Sequence, residues 1–218
     1  MTANYFESIV GTGNKKDEER NENDFYPTPP IALFALSKYF DIPGPVWEPA
    51  CGKGHLVAEM KRLGLKTFAS DLHSYSDKYS PSVDFLAADL PNVDTKSIIT
   101  NPPYKNRLAE KFVLRSLEHE TVEFHAFLCR LQFMTSITRY DGIFSKKPPT
   151  DILVFPKRLN CNEEAASARR AEDQLGGMLE YAWFVWRKRD SLFFSTKTEV
   201  RWVDMDRVIR DWNEENGV

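Results

Sequence analysis

A chain of 218 residues with 42% apolar and 28% charged residues suits one domain of moderate size that buries a core without disulfide or metal support. Its three cysteines, Cys51, Cys129 and Cys161, form no CxxC pair and no cluster with histidine, which argues against a zinc site and suits a reducing compartment. A net charge of −3 argues mildly against a dedicated polyanion binder, and no apolar run approaches the roughly 18 residues of a membrane span or forms a signal-peptide core, so a cytoplasmic protein with no membrane contact and no metal is expected.

Residues 1–24 read as a mobile charged N-terminal arm. From Gly11 to Asp24 the chain has almost no apolar content and dense mixed charge, too little to offset the entropy of ordering. A single domain over residues 25–218 follows. Phe25, Tyr26, Pro27, Thr28, Pro29 and Pro30 lead into a helix that Thr28 is placed to cap, with Ile31, Leu33, Phe34, Leu36 and Phe40 as its apolar positions. Val46–Glu48 reads as a short buried strand, His55–Leu63 as a helix and Lys66–Ser70 as a second strand. A weak third strand is predicted over Val83–Leu86 and a fourth over Ser97–Thr100. Lys105–Leu117 has helical periodicity. Phe124–Cys129, Asp151–Phe155 and Tyr181–Trp186 complete the strands, and Val203–Trp212 the helices. Short apolar strands alternating with helices specify an α/β protein with a largely parallel sheet covered on both faces. There is no internal repeat.

In such sheets ligands bind at the carboxyl ends of the strands, where strand order reverses. The loops after the first, second and fourth strands carry the unusual residues. After the first come Glu48, Pro49, Ala50, Cys51, Gly52, Lys53 and Gly54, then a helix. The two glycines permit a sharp turn and close approach of a ligand to the backbone. Asp71 ends the second strand, where an acid can accept from both ribose hydroxyls of an adenosine. Asp89, followed by Leu90, could accept from an adenine amino group. There is no third glycine, and an acid precedes the loop. Glu48 would repel a pyrophosphate but not an amino acid ammonium or a sulfonium, which favours S-adenosylmethionine over a dinucleotide.

Asn101, Pro102, Pro103 and Tyr104 follow the fourth strand. By composition such a string arises by chance in on the order of one in several hundred chains of this size. An aromatic amino nitrogen is a poor nucleophile because its lone pair is delocalised into the ring. Two acceptors on its hydrogens, the Asn101 amide oxygen and the Pro102 carbonyl, favour the localised tetrahedral form. The prolines stiffen the loop so that the acceptors are preorganised. Tyr104 offers a ring face to a planar base, which must be flipped out of a duplex to reach it.

On Phe25–Pro29, Glu48–Gly54, Asp71 with Leu72, Asn101–Tyr104 and Arg130–Phe133, the chain resembles the class I methyltransferases, in particular the adenine-specific, amino-group-methylating DNA methyltransferases of bacteria and phages. The resemblance covers about residues 25–190. It implies a Rossmann-like, seven-stranded, mostly parallel sheet whose last strand is antiparallel, with helices on both faces. It implies S-adenosylmethionine as cofactor, S-adenosylhomocysteine as product and DNA as partner, with base flipping. Tyr26, Pro27 and Thr28 would flank the methionine end of the cofactor, Glu48 and Gly52 would line that site, Asp71 would hold the ribose and Asp89 the adenine. Many members carry a large target-recognition domain, and no separate one fits here, so any specificity falls to loops such as residues 137–150 and 156–178. An aromatic residue that often follows the sixth strand and packs on the flipped base has no counterpart in residues 156–161, which leaves Phe133 or Phe144 as substitutes.

Other features have plainer readings. Tyr181, Trp183, Phe184 and Trp186 fit a buried strand better than a stacking platform, and His125 a packed core residue. His55, one residue past the glycine loop, is within reach of a cofactor but fits a helix surface better, and Cys51 is there for its small size. Arg130 and Gln132 divide evenly between a substrate contact and a structural bond. Lys146, Lys147, Lys157, Arg158, Arg169, Arg170, Arg187, Lys188 and Arg189 fit either a local basic face or ordinary solvated charge. Two alternatives to a DNA substrate stay open: the same chemistry on RNA adenine or on a protein glutamine amide, and a non-catalytic cofactor- or nucleic-acid-binding module. Target sequence and oligomeric state are not legible.

Overall fold

The computed structural model describes residues 26–75, 82–87, 94–188 and 197–218. The arm expected over residues 1–24, and Asp89 and Leu90 among the expected ligand residues, lie outside these.

Helix α1 (Ile31–Tyr39) starts directly after two prolines, whose missing amide hydrogens cost nothing in a first turn. Ile31 through Leu36 are all buried, so α1 is a core helix apolar on every side rather than an amphipathic one. Thr28 does not cap it. The first-turn amide of Ile31 is met instead by Oε1 of the buried Gln174 at 2.9 Å, from a turn 143 residues away in sequence. The Trp183 indole donates to the Ala32 carbonyl at 2.8 Å and fastens the same helix to the sheet.

Seven strands form one sheet: β1 (Val46–Glu48), β2 (Thr67–Ala69), β3 (Ser97–Thr100), β4 (Phe124–Arg130), β5 (Asp151–Val154), β6 (Tyr181–Arg187) and β7 (Glu199–Trp202). Their order is β2-β1-β3-β4-β6-β5-β7. Every pairing is parallel except the two made by β6, which runs antiparallel between β4 and β5. Side chains alternate between two cores. Phe124, Ala126 and Leu128 of β4, with Trp183 and Val185 of β6, face the layer of α1, α2 (His55–Arg62) and α6 (Met205–Asn216). Phe127 and Cys129, with Ala182, Phe184 and Trp186, face α3 (Leu108–Ser116) and Ile143 on the other side. The aromatic run over residues 181–186 is therefore buried strand, as its composition indicates. Two short helices, α4 (Ile137–Arg139) and α5 (Glu163–Ala166), lie in connections.

The structure corrects the sequence reading in three places. Among the described residues, 82–87 form no strand; Ser82 makes a single parallel bridge to Asp71 and a turn follows. Phe85 supplies the apolar character there by packing on Trp47, with ring centroids 5.1 Å apart, and on Phe112, at 5.0 Å. The sheet has β7 instead, a strand beyond the antiparallel one that was expected to be last. The terminal helix spans Met205–Asn216, capped by Asp204 through the Arg207 amide, rather than Val203–Trp212. Among the described residues no helix is long and apolar enough to cross a membrane.

Strand β7 has a largely exposed side-chain pattern and a buried electrostatic anchor. Fully buried Asp151 on β5 accepts from Arg187 Nε of β6 at 2.9 Å and from Arg201 Nη2 of β7 at 2.8 Å. One carboxylate thus ties three neighbouring strands together. Removing it leaves two guanidinium groups without their shared acceptor, and breaking such a pair costs several kcal/mol. Asp151→Ala is expected to lower the unfolding free energy by about 3 kcal/mol in a denaturant titration; a loss under about 1 kcal/mol would show that packing alone fixes β7.

Candidate functional site

The chain enters β1, returns to β2 on one side and then crosses to β3 on the other. The loops after these strands diverge and leave a cavity of about 240 Å³. Gly52 and Gly54 both have positive φ, 52° and 85°, so the turn from β1 into α2 needs backbone that side-chain-bearing residues adopt at a cost. The turn is pinned from β2. Asp71 accepts from the Gly52 amide at 2.8 Å through one carboxylate oxygen and from the His73 amide at 3.0 Å through the other. Burial raises the Asp71 pKa, and these amides work against that rise.

Glu48 ends β1 inside the cavity wall. It is 2% exposed, and its Oε2 atom has no hydrogen-bond partner. Burial, and secondly the neighbouring Asp71, hold its pKa well above the ordinary carboxylate range. A buried acid with an unused acceptor is costly to the fold unless something else completes it. Cys51 beside it is buried, and its thiol is pushed up to about 12 by burial and then by Glu48 and Asp71, so it contributes small size rather than a nucleophile.

Across the cavity lies the loop after β3. Asn101 Nδ2 donates to Thr28 Oγ1 at 2.9 Å and faces the Tyr26 carbonyl at 3.5 Å. A carbonyl only accepts, so the amide nitrogen is held on that side and Oδ1 on the other. The Tyr104 hydroxyl lies 2.9 Å from Asn101 Oδ1 and 2.9 Å from the Leu128 carbonyl, and its single proton is shared between the two acceptors. Thr28 is thus a brace for the tetrapeptide rather than a helix cap. Arg130, at the end of β4, places its guanidinium 5.0 Å from the Tyr104 ring centre and 5.7 Å from that of Tyr26. One face of the Tyr104 ring is therefore covered by Arg130, which stands against the tetrapeptide, while Gln132 is exposed.

The structure gathers most of the residues singled out by sequence. Tyr26, Pro27, Thr28, Glu48, Pro49, Ala50, Cys51, Asp71 and Leu72 line the cavity with Asn101, Pro102 and Pro103. Tyr104, the last residue of the tetrapeptide, is outside the lining, and Gly52 and Gly54 shape the turn rather than the wall. The wall also holds residues outside that set, among them His55 and Asp84. His55 lines the cavity and lies 3.7 Å from Glu163 through Nε2, instead of standing on an open helix surface. Asp84, whose Oδ1 accepts from the Leu86 amide at 2.9 Å, is an acid of the same wall. Its position two residues after the bridge at Ser82 is not a sequence signal.

Other expectations change. Phe133 is 6% exposed, packed on Phe184 and Phe144 at centroid distances of 5.1 and 5.8 Å, so it cannot stack on a ligand, and Phe144 is partly buried against it. Several cations of the second half are consumed in ion pairs: Lys157 with Asp206, Arg158 with Glu180, Arg170 with Glu172 and Arg187 with Asp151. His125 is a buried core residue with its pKa lowered to about 3, mainly by burial.

No protein-family model and no curated protein matches the chain. Solved structures do. A protein of Listeria monocytogenes, assigned provisionally to the class I S-adenosylmethionine-dependent methyltransferases, aligns over 89% of this chain and 73% of its own at a TM-score of 0.57 and 11% identity. A provisionally named hemolysin of Lactococcus lactis aligns over 84% of this chain and 95% of its own at 0.50 and 12%. The 23S rRNA methyltransferase ErmE aligns over 76% of this chain and 69% of its own at 0.49 and 17%. At these identities the likeness is one of fold. The chain has the Rossmann-like fold of the class I methyltransferases, a seven-stranded, mostly parallel sheet with helices on both faces.

The Tyr104 hydroxyl is the donor to both Asn101 and the β4 backbone, so Tyr104→Phe leaves two acceptors short. Its unfolding free energy is expected to fall by about 2 kcal/mol in urea; a change under about 0.5 kcal/mol would mean that the phenol does not hold the tetrapeptide to β4.

Proposed function

We propose that the protein transfers the methyl group of S-adenosylmethionine to the exocyclic amino group of adenine in DNA. The observation that carries this reading is the juxtaposition, across one cavity, of a buried acid with an unused oxygen and an Asn-Pro-Pro-Tyr loop whose amide oxygen is oriented by three neighbours.

The residues present fit the cofactor. Glu48 Oε2 is an orphaned acceptor in a wall otherwise rich in Pro49, Ala50, Cys51 and Leu72, and an ammonium would complete it. Asp71 keeps acceptor capacity beyond its two amide bonds for a ribose hydroxyl, and Asp84 stands near it for the adenine amino group. The cofactor, when bound, supplies an electrophilic methyl group on a sulfonium.

The chain's own contribution is to orient and desolvate. The Asn101 oxygen, already accepting from Tyr104, has a second lone pair for one hydrogen of the target amino group, and the Pro102 carbonyl takes the other. Both acceptors draw the nitrogen toward tetrahedral geometry. The cofactor would supply the methyl group for the new nitrogen–carbon bond and would keep the electron pair of the broken carbon–sulfur bond on its sulfur. The methylated nitrogen then releases one proton to water. Fixed dipoles of this kind need no reorganisation in the transition state, which is where such sites gain most of their rate. Thr28 and Tyr26 hold the amide so that its oxygen, not its nitrogen, faces the substrate.

Methyl transfer from radiolabelled cofactor into duplex DNA, single-stranded DNA, RNA and protein extract, followed by nucleoside analysis, tests the substrate. Label is expected in DNA as adenine methylated on its amino group, and label confined to RNA or protein would overturn that choice. In the same assay Asn101→Ala is expected to lose turnover about 100- to 1,000-fold, with cofactor affinity held within about tenfold; unchanged turnover would refute the mechanism.

A second test concerns protons. Glu48 in the free protein has a raised pKa, and a neighbouring cation favours its ionised form. Cofactor binding should therefore release a proton. Affinity should fall as pH drops below the raised Glu48 pKa and level off above it. Calorimetry in two buffers of different ionisation enthalpy is expected to show this release in the wild type and not in Glu48→Gln, whose affinity should be lower by about 10- to 100-fold, the worth of a charged hydrogen bond. Equal proton release in the variant would remove Glu48 from the cofactor site.

A further inference from the structure

The segment after β4 stands beside the tetrapeptide, because β4 and β3 are parallel neighbours and both end at the same edge of the sheet. It is held firmly. Phe133 anchors it in the core, and Arg139 stacks over the Phe133 ring at 5.2 Å. Arg139 also donates to the carbonyls of Phe133 at 2.9 Å, Gln132 at 3.2 Å and Thr135, and to Glu110 Oε1 at 3.0 Å. The other oxygen of Glu110 accepts from Arg107, in the turn directly after Tyr104. That turn has Asn106 and Arg107 both at positive φ, 54° and 62°, a conformation that a non-glycine residue keeps only when its surroundings impose it. One buried carboxylate therefore couples the exit of the tetrapeptide to the lobe formed by residues 131–147.

On this pinned lobe three large apolar side chains face solvent: Ile137 at 71% exposure, Tyr140 at 55% and Met134 at 42%. A lone exposed apolar residue is ordinary. Three within seven residues, on a turn that passes from α4 into a π-helical turn at Tyr140–Phe144, are not. The surrounding charge is positive. Lys105, Arg107 and Lys146 are exposed around the lobe, with Lys147 half-buried, and Asp141 is the sole acid in residues 131–147. The cations suit a phosphate backbone, and the apolar side chains suit the interior of a base stack.

We propose that this lobe is a duplex-contacting wedge: Ile137 and Tyr140 enter the base stack where the target adenine leaves it, while Lys105, Arg107 and Lys146 track the flanking phosphates. The inference rests on the reading of the substrate as DNA and adds how the protein holds a base out of a duplex. The wedge replaces the stacking that the flipped base gives up, so it serves a paired target and is idle on an unpaired one.

That difference supplies the test. Wild type and the double variant Ile137→Ser/Tyr140→Ala are compared on duplex DNA and on the same DNA denatured to single strands, with thermal melting and cofactor affinity measured alongside. The variant is expected to lose kcat/KM at least tenfold on duplex DNA and less than threefold on single strands, and Ile137→Leu/Tyr140→Phe to restore duplex activity. Unchanged duplex activity, or an equal loss on both substrates, overturns the wedge and leaves the DNA reading intact. A wild type that methylates neither form of DNA overturns both.

Discussion

The reversal of strand order at β1 is the constraint from which the rest of the site follows. Because β2 lies on one side of β1 and β3 on the other, the connections leaving β1 and β3 run to opposite faces of the sheet, and no helix can close the gap at their carboxyl ends. The gap has to be lined by loops. Loops carry backbone polar groups that demand partners, which is why Asp71 is spent on the amides of Gly52 and His73, and Asn101 on Thr28 and Tyr26. The cavity and the rigidity of its walls have one origin.

Within that frame Glu48 stands out because its position works against stability. A buried carboxyl with a bare oxygen beside a second acid gains nothing for the empty fold. The stability it forgoes is available as affinity for a cationic group that arrives from outside. The tetrapeptide obeys the opposite logic: the Asn101 amide and the Tyr104 hydroxyl are both held by partners within the protein. One side of the cavity is left with an unpartnered buried oxygen, while on the other the amide orientation is fixed by neighbours.

Much of this was legible because it depends on short-range chemistry. Val46–Glu48, Ser97–Thr100 and Tyr181–Trp186 are apolar runs buried on both faces, and such strands announce themselves by composition. The glycine turn and the Asn-Pro-Pro-Tyr loop could be placed because backbone freedom and loop stiffness belong to the residues themselves. What escaped depends on distant partners. Strand β7 reads Glu-Val-Arg-Trp, mostly exposed, and is a strand because β5 offers a free edge and Asp151 holds Arg201. Phe85 gave residues 83–86 an apolar look that tertiary packing used as a plug. Thr28 followed the local rule for a helix cap, yet Gln174 and Asn101 decided the roles through contacts no local pattern records. Phe133 was an exposed candidate by position and a core residue by packing.

The Glu110 carboxylate shows how such long-range wiring bears on function. Arg107 and Arg139 reach it from different segments, one from the tetrapeptide's exit and one from the lobe after β4. Sharing an acceptor makes the two segments move as a unit. The link between loop and lobe is thus a buried carboxylate shared by two arginines rather than a feature of either segment's own sequence. Arg107 is well exposed and Arg139 half-buried, so the two halves of that link differ in screening: the Arg139 contact is the stronger, and the Arg107 contact is the one weakened by solvent and salt.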